Sequence, residues 1–243
     1  MQDIHYDALY TMEQNHWWYR VRRNLIHRLM RKQQAKQKSS LQILDIGCGT
    51  GQLMKELQAY GTVTGIDISE RAVSYCKERG LSPDVGSADK LPYPDNFFDT
   101  VVIMDVLEHL EDDSLGAQEL LRVLKPGGTA IITVPAFMFL WSVTDELSNH
   151  YRRYTKQQLI KLLTTGGFSI QRTTYFNTFL YPAIAGVRLL VRTFHLPMRS
   201  ENNIGGVTAN SILYPIFSLE EKLLAHLSFP FGVSILAIVK KPQ

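Results

Sequence analysis

The chain has 243 residues, enough for one large α/β domain, with 45% hydrophobic and 20% charged residues. Its formal net charge of +3 does not indicate a nucleic-acid partner, and none is expected. Its two cysteines, Cys48 and Cys76, cannot form a disulfide framework or a cysteine zinc site, which fits a reducing, cytoplasmic setting.

The apolar stretches of the chain do not predict a membrane-spanning helix. Residues 1–14 are polar and lack the apolar core of a signal peptide. The best candidate for a span, residues 176–196, is interrupted by Arg188, Arg192 and His195. A helix that lies on a membrane surface stays open as an alternative.

The first predicted element is a basic, amphipathic helix over residues 16–37. Apolar side chains recur on one side of it, and none of its charged residues is acidic. The simplest interpretation packs the apolar side on the core and leaves the basic residues in solvent. Alternatively, the segment 1–39 is a cap whose Trp18, Tyr19 and Arg22 face a ligand, since adjacent aromatic rings attract a cationic group. A basic face toward anionic lipid is a third alternative.

The strongest pattern in the sequence is the segment 44–51, which reads LDIGCGTG. An apolar run predicts a buried strand there, and helical periodicity starts at Gln52. A strand, a glycine turn and a helix together form a nucleotide-type site at the carboxyl end of a parallel strand. The spacing is G-x-G-x-G, and Gln52 stands where the dinucleotide fingerprint has its third glycine. A nicotinamide dehydrogenase is therefore disfavoured.

Acidic residues end the predicted strands on either side of this turn. Asp45 is the last strand residue before the glycines, where its carboxylate can reach a cationic or hydroxyl group. The second strand, residues 62–67, ends at Asp67, whose carboxylate can accept both hydroxyls of a ribose. Asp67 can also cap the helix that follows, and the two roles are compatible. A third short strand and its exit loop are predicted over residues 83–89.

A central parallel strand is predicted by the apolar run 100–105, which leads into the motif DVLEHL. His109 in this motif can accept a proton at neutral pH and is a candidate general base. Alternatively, Glu108 and His109 cap the helix 112–124 and pack under the sheet edge. One glutamate and one histidine are too few to predict a metal site, so no metal is assigned.

These motifs occur in the order found in the class I S-adenosylmethionine-dependent methyltransferases. DIGCGTG closely resembles the first motif of that family, and DVLEHL resembles its "vLeHl" motif. Residues 91–99, LPYPDNFFD, match its "lpfpd-x-sFD" segment, and LRVLKPGG before a fifth strand at 129–134 is characteristic of the group. The resemblance is to the methyltransferase type 11-like branch, and it covers about residues 42–175 and the last strand.

The resemblance implies a doubly wound, seven-stranded Rossmann-like sheet that binds S-adenosylmethionine. Asp67 would hold the ribose, Asp89 and the Ala88 amide would read the adenine, and the end of the fourth strand would face the methyl group. The expected cofactor residues are Asp45, Gly47, Cys48, Gly49, Gly51, Asp67, Ile68, Ala88, Asp89 and Asp105, with Trp18, Tyr19 and Arg22 from the cap.

The loop 135–154 follows the fifth strand, where substrates bind in such folds. Its HYRRYT segment resembles the "H-x-R-x-y-t" segment common in this branch. An arginine here would hold a substrate carboxylate or phosphate by bidentate hydrogen bonds, and His150 would be a second candidate base. The alternative is a buried, hydrogen-bonded brace under a substrate lid. The candidate substrate residues are Trp141, Arg152, Arg153 and Tyr154.

An apolar insertion of about fifty residues separates the sixth strand from the last, where the resembled fold has a short turn. Two apolar helices are predicted, over residues 179–194 and 211–227, joined by 202–206. The simplest interpretation is a helical hairpin packed on the core or on a second subunit in a homodimer. The alternative is a lid for a hydrophobic substrate or a membrane-surface patch, with Arg188 and Arg192 meeting headgroups.

We therefore expect methyl transfer from S-adenosylmethionine to a small or lipid-like acceptor, on oxygen or carbon. The insertion is apolar, and the Asn/Asp-Pro-Pro-Tyr motif that marks nitrogen methylation in related enzymes is absent. A different alternative is a non-catalytic S-adenosylmethionine-binding scaffold or subunit. A single methyltransferase domain is expected, with a cap (1–39), a cofactor-binding core (40–175), an insertion (176–228) and a last strand (229–243).

Overall fold

A computed structural model describes residues 3–35, 40–194 and 207–243. The helices within these ranges are α1 (Asp3–Met12), α2 (Trp17–Gln34), α3 (Gln52–Leu57), α4 (Glu70–Glu78), α5 (Asp113–Val123), α6 (Val143–Leu147), α7 (Lys156–Thr165), α8 (Tyr181–Phe194) and α9 (Val207–Leu223). The strands are β1 (Leu41–Ile46), β2 (Gly61–Asp67), β3 (Asp84–Val85), β4 (Phe98–Met104), β5 (Leu124–Pro135), β6 (Ser169–Phe176) and β7 (Ser234–Lys240).

The strands form one seven-stranded sheet in the order β3-β2-β1-β4-β5-β7-β6. Strands β1 to β5 pair in parallel, and β7 runs antiparallel to β5 and β6. The chain winds in opposite directions on either side of β1 and β4, so the carboxyl ends of these strands form the crevice where open α/β sheets bind ligands. The predicted doubly wound, seven-stranded fold is confirmed.

The apolar run of β4 is explained by burial on both faces of the sheet. Val101, Val102 and Ile103 have no exposed surface. Val101 and Ile103 join the core formed with α5 and α7, whereas Val102 joins the core formed with α2 and α9. Because successive strand residues point to opposite faces, one continuous run serves two cores.

Helices α2 and α9 pack together on one face of the sheet. Ile26 and Met30 of α2 and Phe217 of α9 are almost completely buried in the same core. An ion pair of 2.6 Å joins Arg28 to Glu221 at the edge of this contact. The core-packing interpretation is therefore confirmed for α2 and for the second helix of the insertion.

Helix α8, the first helix of the insertion, lies at the surface. Val187, Leu189, Leu190 and Phe194 are more than half exposed, at 51, 66, 55 and 66%. Arg188 is the exception, because it is buried and donates a hydrogen bond to the carbonyl of Leu140. None of the helices within the described ranges combines the length and hydropathy that a membrane crossing needs.

Several predicted boundaries need correction. Helix α2 begins at Trp17 because His16 caps it, its side chain accepting from the backbone amide of Trp18 at 3.3 Å. Only two residues of the third strand, Asp84 and Val85, pair with β2. Strand β5 begins at Leu124, before the predicted glycine turn, because Leu124 pairs with Phe98. The predicted end of α2 at residue 37 and the connection 202–206 lie outside the described residues.

Candidate functional site

The glycine loop after β1 has a conformation that glycine adopts more readily than other residues. Gly47, Gly49 and Gly51 have φ values of 68°, 56° and 85°. A Cβ atom on Gly47 would lie 2.3 Å from Cγ2 of Val106, and one on Gly51 would lie 2.8 Å from Sγ of Cys76. These two positions therefore exclude a side chain by packing as well as by backbone conformation. Since Val106 follows β4, the loop and the end of β4 fit against each other.

Two buried carboxylates line the glycine loop. Asp67 accepts hydrogen bonds from the amides of Gly49, at 2.8 Å, and Ser69, at 3.0 Å, so it orders the loop and the start of α4. Asp45 is 2% exposed, and its Oδ2 has no hydrogen-bond partner within the described ranges. Burial, reinforced by the charges of Asp67 and Glu13, raises the pKa of Asp45 to about 8. A glycine loop flanked by such acids fits the ammonium and ribose groups of S-adenosylmethionine.

Helix α1, which the sequence analysis did not predict, lies against this loop. The Tyr6 hydroxyl donates to Oδ1 of Asp67 at 3.4 Å, and the Thr50 hydroxyl donates to the carboxylate of Glu13 just beyond the helix. Reading residues 1–14 as a polar segment hid this helix, although Ile4, Tyr6 and Leu9 lie within it. The available signal was the spacing of Tyr6 and Tyr10, which places both rings on one helical face.

The other predicted cofactor residues near the glycine loop differ in exposure. Ile68 is 70% exposed directly after Asp67, and Asp89 is exposed as well. Ala88 is buried in the core, and Cys48 packs beside Cys76. Their adenine and cofactor contacts stay predictions.

Arg22 joins α2 to the end of β4. Its guanidinium lies 2.6 Å from Oδ2 of Asp105 and donates to Oγ1 of Thr133 at 2.9 Å. The Thr133 hydroxyl donates to the second oxygen of Asp105 at 3.0 Å. Asp105 has a φ value of 54°, a conformation that residues with a side chain rarely adopt. The three side chains thus stabilise a strained backbone at the end of β4.

The aromatic residues of the predicted cap serve different purposes. Trp18 stacks on Phe176 and Phe217, with ring centroids 6.3 and 5.3 Å away, so it packs against the core, and its contact with the ligand stays a prediction. Tyr19 lies beside the charged end of β4. Burial raises the pKa of its hydroxyl, and the neighbouring Arg22 opposes this shift. Tyr19 and Arg22 are therefore the cap residues that stay near the site.

Three side chains meet beyond the end of β4. Glu108 and His109 lie in a short 3₁₀ helix, Leu107–His109, and His150 comes from the loop after β5. Ligand atoms of all three lie within 4.8 Å of one another, and the two imidazole rings meet edge to face at 4.5 Å. The structure therefore brings together the two candidate bases, which the sequence places in separate segments. We call these three residues the Glu108 cluster.

Burial controls the charge of the Glu108 cluster. It lowers the pKa of His109 to about 4, with help from the neighbouring His150 and against a hydrogen bond to the Asn149 backbone. The ring of His109 is therefore neutral near pH 7. Burial, reinforced by the charge of Asp105, raises the pKa of Glu108 well above its usual range. Glu108 is fully buried, and neither of its carboxylate oxygens has a hydrogen-bond partner among the described residues.

Arg153 and Tyr154 form the internal brace that was the alternative interpretation of this loop. Arg153 donates to both carboxylate oxygens of Asp145, at 2.7 and 2.9 Å, and the Tyr154 hydroxyl donates to Asp113 at 2.7 Å. Burial would raise the pKa of Asp145, but bonds from His150 and Arg153 hold it well below its usual range. The polar groups of Arg153 and Tyr154 are used within the protein, and their substrate contacts stay predictions.

The two remaining substrate candidates are less enclosed. The side chain of Arg152 is 30% exposed and forms an ion pair of 3.1 Å with Asp113. Trp141 is half-buried after a second short 3₁₀ helix, Met138–Leu140. Their substrate contacts stay predictions.

An aromatic cluster, which the sequence analysis did not predict, lies beyond the ends of β5 and β6. Phe137 stacks on Phe139 and Tyr175, at centroid distances of 5.2 and 5.0 Å. Tyr181 of α8 lies 6.3 Å from Phe137 and 5.3 Å from Phe231. Phe139 and Phe231 are 55 and 42% exposed. Because Phe139 and Phe231 are partly exposed, this cluster of five rings presents an apolar, partly open surface.

Known proteins share the motifs of this site. The family profile described as "Methyltransferase domain" matches residues 44–132. A demethylmenaquinone methyltransferase of Lactiplantibacillus plantarum is 31% identical over 202 residues, which cover 65% of this chain and 83% of that protein. A Mycolicibacterium smegmatis protein, named as an S-adenosylmethionine-dependent methyltransferase, is 30% identical over 168 residues, 66% of this chain and 62% of that protein. The chain thus spans less than two thirds of the second relative.

A solved structure shares the fold across most of the chain. The S-adenosylmethionine-dependent methyltransferase of Mesorhizobium loti matches with a TM-score of 0.56 and 19% identity, covering 86% of this chain and 95% of that one. At this identity the likeness shows the fold alone. The glycine loop, the acids after β1 and β2 and the sequence relatives lead to the same assignment. The chain belongs to the class I S-adenosylmethionine-dependent methyltransferases.

Proposed function

We propose that the protein transfers a methyl group from S-adenosylmethionine to an oxygen or carbon atom of a small, hydrophobic, aromatic acceptor. The observation that carries the acceptor class is the aromatic cluster, whose Phe139 and Phe231 are 55 and 42% exposed. Aromatic rings contribute apolar area and favourable stacking geometry to a flat ligand. One relative is named for demethylmenaquinone, so a demethylated quinone is the first acceptor to test.

The residues at the carboxyl ends of β1 and β2 would hold the cofactor. Asp67 suits the ribose hydroxyls, because its carboxylate already accepts from the amides of Gly49 and Ser69 and is fixed in place. Asp45 suits the ammonium group, which would supply the partner that its Oδ2 lacks within the described ranges. When bound, S-adenosylmethionine supplies an electrophilic methyl group. The part of this chain is to orient both reactants and exclude water.

The Glu108 cluster would prepare the acceptor. A hydroxyl acceptor must lose its proton as the oxygen takes the methyl group. His150 is the better oriented of the two histidines, because its Nδ1 lies 2.8 Å from Asp145, which leaves Nε2 as the nitrogen that can accept a proton. His109 is the poorer base, because burial lowers its pKa to about 4.

Calorimetric titration tests the cofactor half of the proposal. We expect S-adenosylmethionine and its demethylated product to bind and NAD not to bind. Asp67→Ala should weaken cofactor binding by about 1–3 kcal/mol, since it removes a buried acceptor. Glu78→Ala, which changes an exposed acid of α4, is the matched control and should bind normally. Tight NAD binding, or unchanged affinity in Asp67→Ala, would contradict the assignment.

Mass spectrometry of the products tests the acceptor half. The protein and S-adenosylmethionine are incubated with demethylated quinols, phenols, carboxylic acids and lipids. We expect methylation of the aromatic acceptors first. Phe139→Ala should raise the KM for these acceptors more than it lowers kcat, because the ring contributes binding area. Cofactor binding with no methyl transfer to any member of the panel would favour the non-catalytic scaffold.

The exposed apolar face of α8 supports a surface contact, either with a membrane or with a second copy in a homodimer. Leu189 and Phe194 are each 66% exposed on this helix. Sedimentation with anionic vesicles tests the membrane contact, and light scattering tests the dimer. Leu189→Asp should weaken whichever contact exists, because it places a charge in the apolar face.

A further inference from the structure

We propose that Glu108, His109 and His150 bind a divalent transition-metal ion of the Zn²⁺, Fe²⁺ or Mn²⁺ type. One carboxylate and two imidazoles form the donor set that these ions take, whereas Mg²⁺ and Ca²⁺ prefer oxygen ligands. The three ligand atoms lie within 4.8 Å of one another. Ligands about 2.1 Å from one ion lie roughly 3–3.5 Å apart, so small side-chain rotations would close the site.

The first argument for the site is the charge balance around Glu108. Two neighbouring acids already have cationic partners, since Asp105 pairs with Arg22 at 2.6 Å and Asp145 pairs with Arg153 at 2.7 Å. Glu108 has no exposed surface, and both of its oxygens lack a hydrogen-bond partner within the described ranges. A buried carboxylate without a partner is costly, and a bound cation would remove that cost.

The second argument is the orientation of the two histidines. Nδ1 of His150 lies 2.8 Å from Asp145, so that nitrogen carries the proton in the neutral ring and donates it to the carboxylate. Nε2 is then a bare acceptor, and it faces another acceptor, Oε1 of Glu108, at 4.0 Å. His109 hydrogen-bonds to the backbone of Asn149. Metal-binding histidines are held by a carboxylate or a backbone carbonyl in this way, with the other nitrogen turned to the ion.

Asp145 is not a ligand of the proposed metal ion, but it orients His150. Its two oxygens accept from Arg153, and the amide of Ser142 donates to it at 2.8 Å. These bonds fix the carboxylate that orients His150. Arg153 is therefore a positioning residue for the metal site, which gives a physical reason for the brace.

The inference deepens the proposed function and rests on it only for the catalytic consequence. With an ion bound, His109 and His150 act as ligands and no longer as bases. An acceptor hydroxyl that binds the ion loses its proton to solvent more readily, and its oxygen becomes the nucleophile. The existence of the site needs neither methyl transfer nor a bound cofactor.

Titration of the metal-stripped, full-length chain with Co²⁺ and Zn²⁺ tests the site directly. We expect one ion per chain, with the visible absorption of Co²⁺ in a mixed nitrogen and oxygen site. Glu108→Gln and His150→Ala should each reduce the affinity roughly 100-fold, and Asp145→Asn 10–100-fold, as loss of an orienting group does. His226→Gln, which changes an exposed histidine after α9, should bind normally.

Thermal unfolding separates loss of the site from loss of the fold. Zn²⁺ should raise the Tm of the wild type and not that of Glu108→Gln, whereas the metal-free Tm of this near-isosteric variant should not fall. Absence of a one-to-one complex, or full binding by Glu108→Gln or His150→Ala, would overturn the proposal. Because these measurements use no cofactor and no acceptor, their failure would leave the methyltransferase proposal untouched.

Discussion

The proposed site has two halves, a cofactor half around the glycine loop and Asp67 and an acceptor half around the loop 135–154. They are held by different contacts. In the cofactor half, Asp67 bonds to the backbone amides of Gly49 and Ser69. In the acceptor half, acids bond to other side chains, as Asp145 does to Arg153. Gly49 and Asp67 lie 18 positions apart in one strand–loop–helix–strand unit, whereas Glu108 and His150 come from separate loops that only the fold brings together. The cofactor half can therefore be recognised from a short motif, and the acceptor half cannot.

The largest effect is expected at Gly47, where the two halves touch. Gly47→Ala places a Cβ atom 2.3 Å from Val106 and requires a φ value of 68°. It should reduce the free energy of unfolding by about 2–5 kcal/mol, measured by urea titration. Gly80→Ala is the control, because its φ is 76° but no atom lies within 4 Å of the new Cβ. Gly80→Ala should reduce the free energy of unfolding by about 1–2 kcal/mol. Equal reductions in the two variants would show that the packing of Gly47 against Val106 is unimportant.

Arg22→Met tests the ion pair that ties α2 to the end of β4. It should reduce the free energy of unfolding by about 2–3 kcal/mol. This is less than the roughly 3–5 kcal/mol lost when a fully buried pair is broken, because the Asp105 side chain is 29% exposed. Adding Asp105→Asn should recover part of the loss. Arg71→Met removes an exposed pair with Asp7 and should reduce the free energy of unfolding much less, because solvent screens that pair. Similar losses at the two arginines would contradict the importance of this link.

Asp45→Asn tests whether the cofactor half is strained before it binds its ligand. The folded chain holds the pKa of Asp45 at about 8, above its ordinary value of 3.8. The contribution of Asp45 to wild-type stability should therefore be present below pH 4 and be lost as pH rises to 8. Urea titration should show the variant on the order of 2 kcal/mol more stable at pH 8 and equal near pH 4.

The more stable Asp45→Asn variant is expected to lose affinity for S-adenosylmethionine. Asp45→Asn should bind S-adenosylmethionine more weakly than the wild type at pH 8, because it lacks the negative charge that an ammonium group needs. A variant that binds the cofactor normally, or that shows the same pH dependence of stability as the wild type, would contradict this account of Asp45.

The smallest effect is expected in the brace of the acceptor half. Tyr154→Phe removes the hydroxyl that donates to Asp113 at 2.7 Å and should cost about 1 kcal/mol in urea titration. The KM for the acceptor should not change, because Tyr154 is 3% exposed and its ring keeps its place. A raised KM with unchanged stability would support the prediction that Tyr154 binds substrate.

The sheet and the cofactor half were predictable because their signals are local. The run around Val101 and Ile103 is apolar since both faces of β4 are covered. Asp45 is the penultimate residue of β1 and Asp67 the last residue of β2, so both side chains lie near the carboxyl edge of the sheet. These inferences needed only the periodicity of strands and the direction of parallel pairing.

The acceptor half was not predictable, because its partners are chosen in three dimensions. Nothing in the HYRRYT segment shows that Arg153 turns inward to Asp145, or that His150 meets Glu108 from another loop. Helix α1 was missed for the same reason. The Tyr6 contact with Asp67 crosses 61 positions of sequence.

Helix α1 and the residue after it contact two groups of the proposed cofactor site, so movement of this helix is expected to affect how fast product leaves. Tyr6 rests on the carboxylate proposed to hold the ribose, and Glu13 accepts a hydrogen bond from Thr50 within the glycine loop. If Asp67 holds the ribose as proposed, Tyr6 shares that carboxylate with the bound nucleoside. We therefore expect opening of α1 to set the rate of product release, so that this step and not the transfer itself limits kcat.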